Sequence, residues 1–332
     1  MGNKVTIEDI AKILGISKAT VSRAISGKGR VSEATRNEVL RVMEEQNYQP
    51  VNPVRDTTQK QNGTIAVVIP SDFANTSSTF FLECLYAIFS TAGNALFDVI
   101  VTGDSFNDVD SVERLIKSGK IDGVIFLRPS MHSPYEKLLE DEHLPYVVIG
   151  APNSPDIYSV DNDNIAACRE LTEHLIEMGC RRIAFLGPDI NTTAFNHRMK
   201  GYLEAYRAHD LEVDPLLIHM NLKNEQLVTN ALFKLINNNP PDAIITADDT
   251  LCYWTLINLD LLKLNIPEDV KIASFNDSLV LSTHQPPITA VNVNASNLGD
   301  RACRTLLKII NGAETTKHSY VPYEIVLRRS TL

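Results

Sequence analysis

Cysteine is scarce and scattered. The 332 residues hold five, Cys84, Cys168, Cys180, Cys252 and Cys303, and no two are spaced as C-x-x-C. An odd, dispersed set builds neither a disulfide framework nor a zinc cluster, and fits a reducing cytoplasm. No window approaches 18 consecutive apolar residues, which excludes a membrane-spanning helix. The stretch from Met1 to Ile10 lacks the apolar core of a secretory signal. The chain carries no G-x-x-x-x-G-K-[ST], G-x-G-x-x-G, H-E-x-x-H or G-x-S-x-G. The common phosphate, dinucleotide, zinc-hydrolase and serine-hydrolase chemistries therefore have no anchor. No catalytic residue, cofactor or metal is expected.

What is present is the composition of a globular protein, 44% hydrophobic and 22% charged, with a net charge of −10. That charge is unevenly spread. Residues 1–60 hold ten Lys/Arg against seven Asp/Glu, while the rest carry 21 basic and 34 acidic residues. A basic head on an acidic body points to an anionic partner for the head alone, with nucleic acid as the leading candidate.

Spacing predicts three short helices in the head. Thr6 is placed to cap the first, with Asp9 three residues on, and Ile7, Ile10, Ala11 and Leu14 share one face. Gly15 supplies a stop. Ser17 caps a second helix from Lys18 to about Ile25, with Val21, Ala24 and Ile25 inward. A third opens at Val31-Ser32 and is expected to bury Val39, Leu40, Val42 and Met43. Helix, glycine turn, helix is the arrangement of many DNA readers. Lys18, Ala19, Ser22 and Arg23 face outward near the second helix's start, where side chains reach base edges in the major groove. Ser17, Thr20, Ser22, Ser32 and Thr35 are hydroxyls suited to phosphates at helix starts, although such residues also serve as plain caps.

The runs Val5–Ala11, Gly15–Arg23, Val31-Ser32 with Thr35-Arg36, and Asn47-Tyr48-Gln49-Pro50 resemble the head of a LacI/GalR-family transcriptional repressor. The resemblance implies operator DNA as partner, with Thr6, Tyr48 and Arg55 joining the contact set. Residues 49–62, with two prolines and no apolar periodicity, read as a flexible tether. The resemblance implies instead a short hinge helix there that orders on operator DNA and carries a leucine that wedges into the minor groove. Here Thr57 stands at the wedge position and Pro53 falls inside the helix, so the wedge is not expected to operate.

The body alternates short Val/Ile/Ala-rich runs with helical patterns. Strands are predicted at Thr64–Pro70, Phe97–Gly103, Gly123–Pro129, Tyr146–Gly150, Arg182–Gly187, Ala243–Ala247 and Lys271–Phe275. Such alternation over about 270 residues predicts two doubly wound parallel sheets in two lobes. The expected division is a helix-turn-helix domain at 1–48, a linker at 49–62 and a core at 63–332. Within the core, lobe 1 is expected at about 63–160 and 291–320, and lobe 2 at about 161–290 and 321–332.

Ligands of such folds sit at the carboxyl ends of strands, in the crevice between lobes. The residues falling there include Ser71, Phe80, Phe81, His197, Arg198, Asp248, Asn276 and Asp277. Carboxylate, amide and guanidinium groups beside aromatic rings suit a neutral polyhydroxylated ligand. Several also have structural readings: Phe81 as core, Asp248 as a helix cap, Asp277 as a cap or turn residue, Arg198 as a surface ion pair.

Arg198–Tyr202, Ala247-Asp248-Asp249, Ile272–Asp277, Gln285–Thr289 and Leu327–Thr331 resemble the LacI/GalR effector core, itself similar to periplasmic sugar-binding proteins. The resemblance implies an N-terminal all-α helix-turn-helix head on a two-lobed periplasmic-binding-protein-like α/β core. It implies that Ser71, Phe80, Arg198, Asp248 and Asn276 hold a small carbohydrate effector, with Asn276 departing from the family's usual Asp. Phe275-Asn276 and Val321–Glu324 look most like the maltose or α-glucoside repressors of Gram-positive bacteria. No heptad tail follows the last strand, so a homodimer set for two DNA half-sites is expected. Two alternatives remain: a regulator answering a purine or a phosphorylated carrier protein, and a helix-turn-helix fused to a sugar kinase, for which no phosphate loop is visible.

Overall fold

The computed structural model describes residues 7–26, 31–45, 62–70, 79–104, 110–128, 135–152 and 154–332. The head is three helices, α1 (Ile7–Leu14), α2 (Lys18–Ser26) and α3 (Glu33–Glu45). Ile10, Ala11, Val21, Ala24, Val39, Val42 and Met43 close a small core, with Leu14, Ile16 and Val31 packed against it. Gly15, at φ +64°, makes the turn between α1 and α2. Leu40, expected inside, is instead 48% exposed. The buried stripe runs through Val39, Val42 and Met43 at i, i+3 and i+4, and Leu40 falls off that face.

The chain then builds β1 (Thr64–Pro70), α4 (Phe80–Asn94), β2 (Asp98–Asp104), α5 (Asp110–Lys117), β3 (Gly123–Phe126), α6 (Glu136–Asp141), β4 (Tyr146–Ile149) and β5 (Tyr158–Asp161). It continues through α7 (Asn164–Glu177), β6 (Ile183–Leu186), α8 (Thr193–Ala208), β7 (Ile218–His219), α9 (Glu225–Asn238), β8 (Ala243–Thr246), α10 (Asp249–Leu261), β9 (Lys271–Phe275), α11 (Leu279–Thr283) and β10 (Thr289–Asn292). It ends with α12 (Ala295–Ile310), β11 (His318–Tyr320) and β12 (Glu324–Val326).

Two six-stranded sheets result, ordered β11-β5-β4-β3-β1-β2 and β12-β10-β9-β8-β6-β7. Among the described residues all pairings are parallel except β12 on β10. The central strands read as continuous apolar runs because helices cover both faces, with Ile65, Val67, Ile125 and Val147 under α4 and α12. The lobe holding the first sheet is lobe 1 and the other lobe 2. The chain passes between them three times: after β5, between β10 and α12, and between β11 and β12.

Helix α12 returns to pack on α4 in lobe 1, where the helices touch at backbone distance. A Cβ on Gly299 would lie 2.2 Å from the Cys84 carbonyl oxygen, so only glycine fits. The linker enters lobe 1 at Asn62, whose N–H donates to Asp122 (3.1 Å) and whose Nδ2 donates to the Gly119 carbonyl (3.1 Å). Among the described residues no helix is long and apolar enough to cross a membrane.

Candidate functional site

In the head, the start of α2 is capped from within. Ser17 Oγ accepts the Thr20 N–H at 3.1 Å and pairs with the Thr20 hydroxyl at 2.8 Å. Ser32 and Thr35 repeat the device at the start of α3, at 3.2 and 2.6 Å. These hydroxyls act as helix caps and hold the helix starts in shape. Lys18, Ser22 and Arg23 lie exposed on one face of α2. Lys18 Nζ donates to Glu8 Oε1 at 2.8 Å, across from α1. That contact was not evident from sequence, because the two residues are ten apart and meet only once the helices fold. Ala19 lies within α2. Thr6, Tyr48, Arg55, Pro53 and Thr57 lie outside the described residues, as does Ser71 of the effector set.

In the core, the strand ends of lobe 2 converge on Arg198. It projects from α8 and is 6% exposed, which excludes the surface ion pair. Its Nε donates to Asn164 Oδ1 at 2.8 Å, Nη1 to the Ala247 carbonyl at the end of β8, and Nη2 to Asn276 Oδ1 at 3.4 Å. The guanidinium lies 4.0 Å from the centroid of Phe275 and 5.4 Å from that of Phe195. Burial lowers it to about 10, against the pull of Asp248 and Asp161, so it stays cationic.

Asn276 follows β9 with φ +61° and is 8% exposed. An amide residue tolerates this left-handed conformation better than most. Asp248 caps α10, accepting the Leu251 N–H at 2.7 Å, and its charge also favours the Arg198 cation. The cap and the site reading therefore both apply to it. Asp277, for which the sequence suggested a cap or turn, forms an ion pair with Arg328 at 2.6 Å.

Phe80 opens α4 in lobe 1, is half-buried, and packs against the cores of both lobes. It meets Phe81 edge-on at 5.2 Å; Phe81 is 8% exposed and belongs to the lobe 1 core. The structure thus brings Arg198, Asp248 and Asn276 together at one end of the second sheet, with Phe80 at the junction of the lobes.

Sequence reasoning missed Arg128, after β3, which lies 5.8 Å from the Phe81 ring. It also missed Asp189 opposite, in the loop after β6. Burial pushes the Asp189 carboxyl up, but the Asn191 N–H, Lys223 and the Arg128 charge across the lobes together hold it below its ordinary value. Asp161 and Asn164 were missed as well. Asp161 ends a four-residue strand that alternation did not reveal, and Asn164 opens α7 and meets its partner Arg198 only in the fold.

A three-helix head on a two-lobed core, with a buried cationic centre at the strand ends, defines a DNA-binding regulator with a small-molecule core. Comparison with known proteins agrees. Residues 6–51 match the model of bacterial regulatory proteins of the lacI family, and residues 172–331 match a periplasmic binding protein-like domain. The chain is 33% identical to the HTH-type transcriptional regulator MalR of Staphylococcus xylosus, over 98% of each protein. A transcriptional regulator CelR–cellobiose complex superposes with a TM-score of 0.75 at 29% identity, over 98% of this chain and 99% of that one. A probable maltose operon transcriptional repressor malR gives a TM-score of 0.75 at 27% identity, over 82% of this chain and 99% of that one. The chain belongs to the LacI family of transcriptional regulators, and it is not an enzyme.

Proposed function

We propose that this regulator is a homodimeric repressor, acting in the cytoplasm, whose grip on operator DNA is controlled by a neutral carbohydrate. The sugar is read as maltose or a related glucoside, held by Arg198, Asp248 and Asn276 of lobe 2 and by Phe80 and Ser71 of lobe 1. The observation that carries this reading is the Arg198 cluster. Among the described residues its buried guanidinium donates to two amide side chains and one carbonyl, with the Asp248 and Asp161 charges favouring the cation. Such a centre offers donors and an amide to hydroxyl groups without demanding a counter-charge from the ligand. Phe80 adds a flat apolar face of the kind on which a pyranose ring stacks. Of the similar proteins, one is a probable maltose operon repressor and another a complex with cellobiose, and both favour a glucoside here.

On DNA, Lys18, Ala19, Ser22 and Arg23 are read as the base-facing set. The backbone N–H groups at the starts of α2 and α3, held by Ser17 with Thr20 and by Ser32 with Thr35, are read as phosphate contacts. Thr6, Tyr48 and Arg55 complete that reading. A sugar touching both lobes favours their approach, and the linker leaves lobe 1 at Asn62, so lobe geometry sets the spacing of paired heads. Operator and sugar then select different lobe arrangements and oppose each other by linkage.

Titration of the operator complex with maltose, cellobiose and glucose tests this. Release by one disaccharide, about 5- to 150-fold in operator affinity, is the expected result. Operator binding that no sugar alters refutes the effector reading. Operator binding that rises with sugar refutes the inducer assignment.

A further inference from the structure

The chain crosses between the lobes at three places, and one side chain touches them all. Asn162 lies on the first crossing and is 3% exposed. Its Nδ2 donates to the Val293 carbonyl on the second at 3.1 Å and to the Val321 carbonyl on the third at 2.8 Å. The Val321 N–H in turn donates to the Asp161 carbonyl at 2.8 Å.

A second buried chain of bonds leads from this knot to Arg198. Asp161 Oδ1 accepts the Asn162 N–H at 2.8 Å and Asn164 Nδ2 at 3.0 Å. Asn164 Nδ2 also reaches the Asn162 carbonyl at 3.3 Å, and its Oδ1 accepts Arg198 Nε at 2.8 Å. Asn164 is 3% exposed and opens α7. It reaches α8 because the helices touch at Gly201, where a Cβ would stand 2.2 Å from the Ile165 carbonyl oxygen.

We infer that Asn164 is a positioning residue for the effector, holding the Arg198 guanidinium and tying it, through Asp161 and Asn162, to the three crossings between the lobes. The amide is suited to this task. Its oxygen takes the guanidinium while its NH2 serves the hinge, so both polar ends of this buried side chain are used. A guanidinium rotated by a bound ligand drags on the hinge, and a hinge that opens re-aims the guanidinium. The inference rests on reading Arg198 as the effector-holding residue.

The test uses the full-length protein and two readouts. The first needs no sugar: hydrogen exchange of the Arg198 Nε–H, followed by NMR of 15N-arginine-labelled protein. Asn164→Ala removes the acceptor, and exchange is expected to accelerate at least about tenfold, since a buried donor left unpaired loses most of its protection. Unchanged exchange overturns the inference. The second is maltose and cellobiose affinity. Asn164→Ala is expected to weaken the preferred sugar about tenfold or more. In an Arg198→Met background the same substitution is expected to cost nothing further, while a full additive loss overturns the inference.

Asn164→Asp separates a positioning role from bulk packing. It restores an acceptor for Arg198 but turns a carboxylate oxygen toward Asp161. The paired carboxyls bind a proton between them at acid pH, so sugar affinity is expected to recover at pH 6 and to fail at pH 8. Equal affinity at both pH values overturns the inference. If wild type binds no sugar, the effector reading falls, and the exchange measurement still decides whether Asn164 holds Arg198.

Discussion

Arg328 closes on Asp277 through two parallel hydrogen bonds, Nη1 to Oδ1 at 2.8 Å and Nη2 to Oδ2 at 2.6 Å, with both side chains 16% exposed. The fork fixes the C-terminal segment across β9 and β10. Arg328 also donates to the Ile288 carbonyl, and Ser330 Oγ donates to the Ile272 carbonyl at 2.6 Å while accepting the Thr289 N–H at 2.8 Å. Asp277 directly follows Asn276, so the clamp also steadies the backbone beside Asn276. Arg328→Ala leaves a mostly buried carboxylate without its partner and is expected to cost about 3 kcal/mol of stability. Arg328→Lys is expected to recover only part, because an ammonium cannot make the bidentate pair. Thermal unfolding of both variants measures this. Unchanged melting in Arg328→Ala would mean that the clamp contributes little.

The fold was legible where sequence pattern and packing coincide. Strands buried on both faces, such as Thr64–Pro70 and Lys271–Phe275, stood out as apolar runs and occupy the expected residues. The short elements did not. β7 has two residues, β11 and β12 three each, and all lie at sheet edges where none of their side chains is fully buried. Nothing in so short a span separates strand from loop. β10 was lost among the prolines Pro286 and Pro287 that precede it. The site divides the same way. Arg198, Asp248 and Asn276 were legible as polar residues ending apolar strands. Asn164 and Glu8 were not, since each acquires its role from a partner 34 or 10 residues away that only the fold brings near.

The Lys18–Glu8 pair holds a cation of α2 against a carboxylate on α1, with both side chains more than half exposed. The hydrogen bond and charge of Lys18 hold the Glu8 carboxyl below its ordinary value. Glu8 thereby cancels one charge that phosphates would otherwise attract. Glu8→Gln is expected to tighten binding to non-specific DNA and to steepen the slope of log K against log salt by about 0.9, one extra counterion equivalent. Fluorescence anisotropy with operator and random duplexes across a salt series reads both quantities. A slope equal to wild type would mean that the pair survives on DNA.

Asp161 gives the protein a built-in pH dependence. Burial raises its carboxyl to about 7, against the Asn162 N–H, the Arg198 charge and the Asn164 amide, while the neighbouring Asp163 adds to the rise. The ordinary value is 3.8, so between pH 4 and 7 the folded chain keeps a proton that the unfolded chain has released. Stability from this group is complete below about 3.8 and is lost as pH rises through about 7, by up to about 1.4 kcal/mol per pH unit. Asp161→Asn keeps the accepting oxygen and removes the titration. Its melting temperature is expected to fall less than wild type's between pH 4.5 and 7.5. Calorimetric melts across that range check the sign, and parallel profiles for the two proteins would rule Asp161 out as the source.

At Asn276, backbone and ligand demands must be kept apart. At φ +61° an alanine is strained, which costs about 1–2 kcal/mol whatever the ligand does. Asn276→Gly removes the amide without that strain and is the cleaner deletion. The head is built from a separate core, so operator affinity without sugar is expected to stay within about twofold of wild type. Loss of the amide leaves Arg198 Nη2 without an acceptor at that corner and removes a donor from the ligand, which is expected to weaken the sugar about tenfold or more. Asn276→Asp keeps the left-handed turn and pairs a carboxylate with the guanidinium, so it is expected to retain sugar binding with an altered preference among glucosides. Operator complexes of the three proteins, titrated in parallel with maltose and cellobiose, separate these outcomes. Release of the Asn276→Gly complex at the wild-type sugar concentration would place the effector elsewhere.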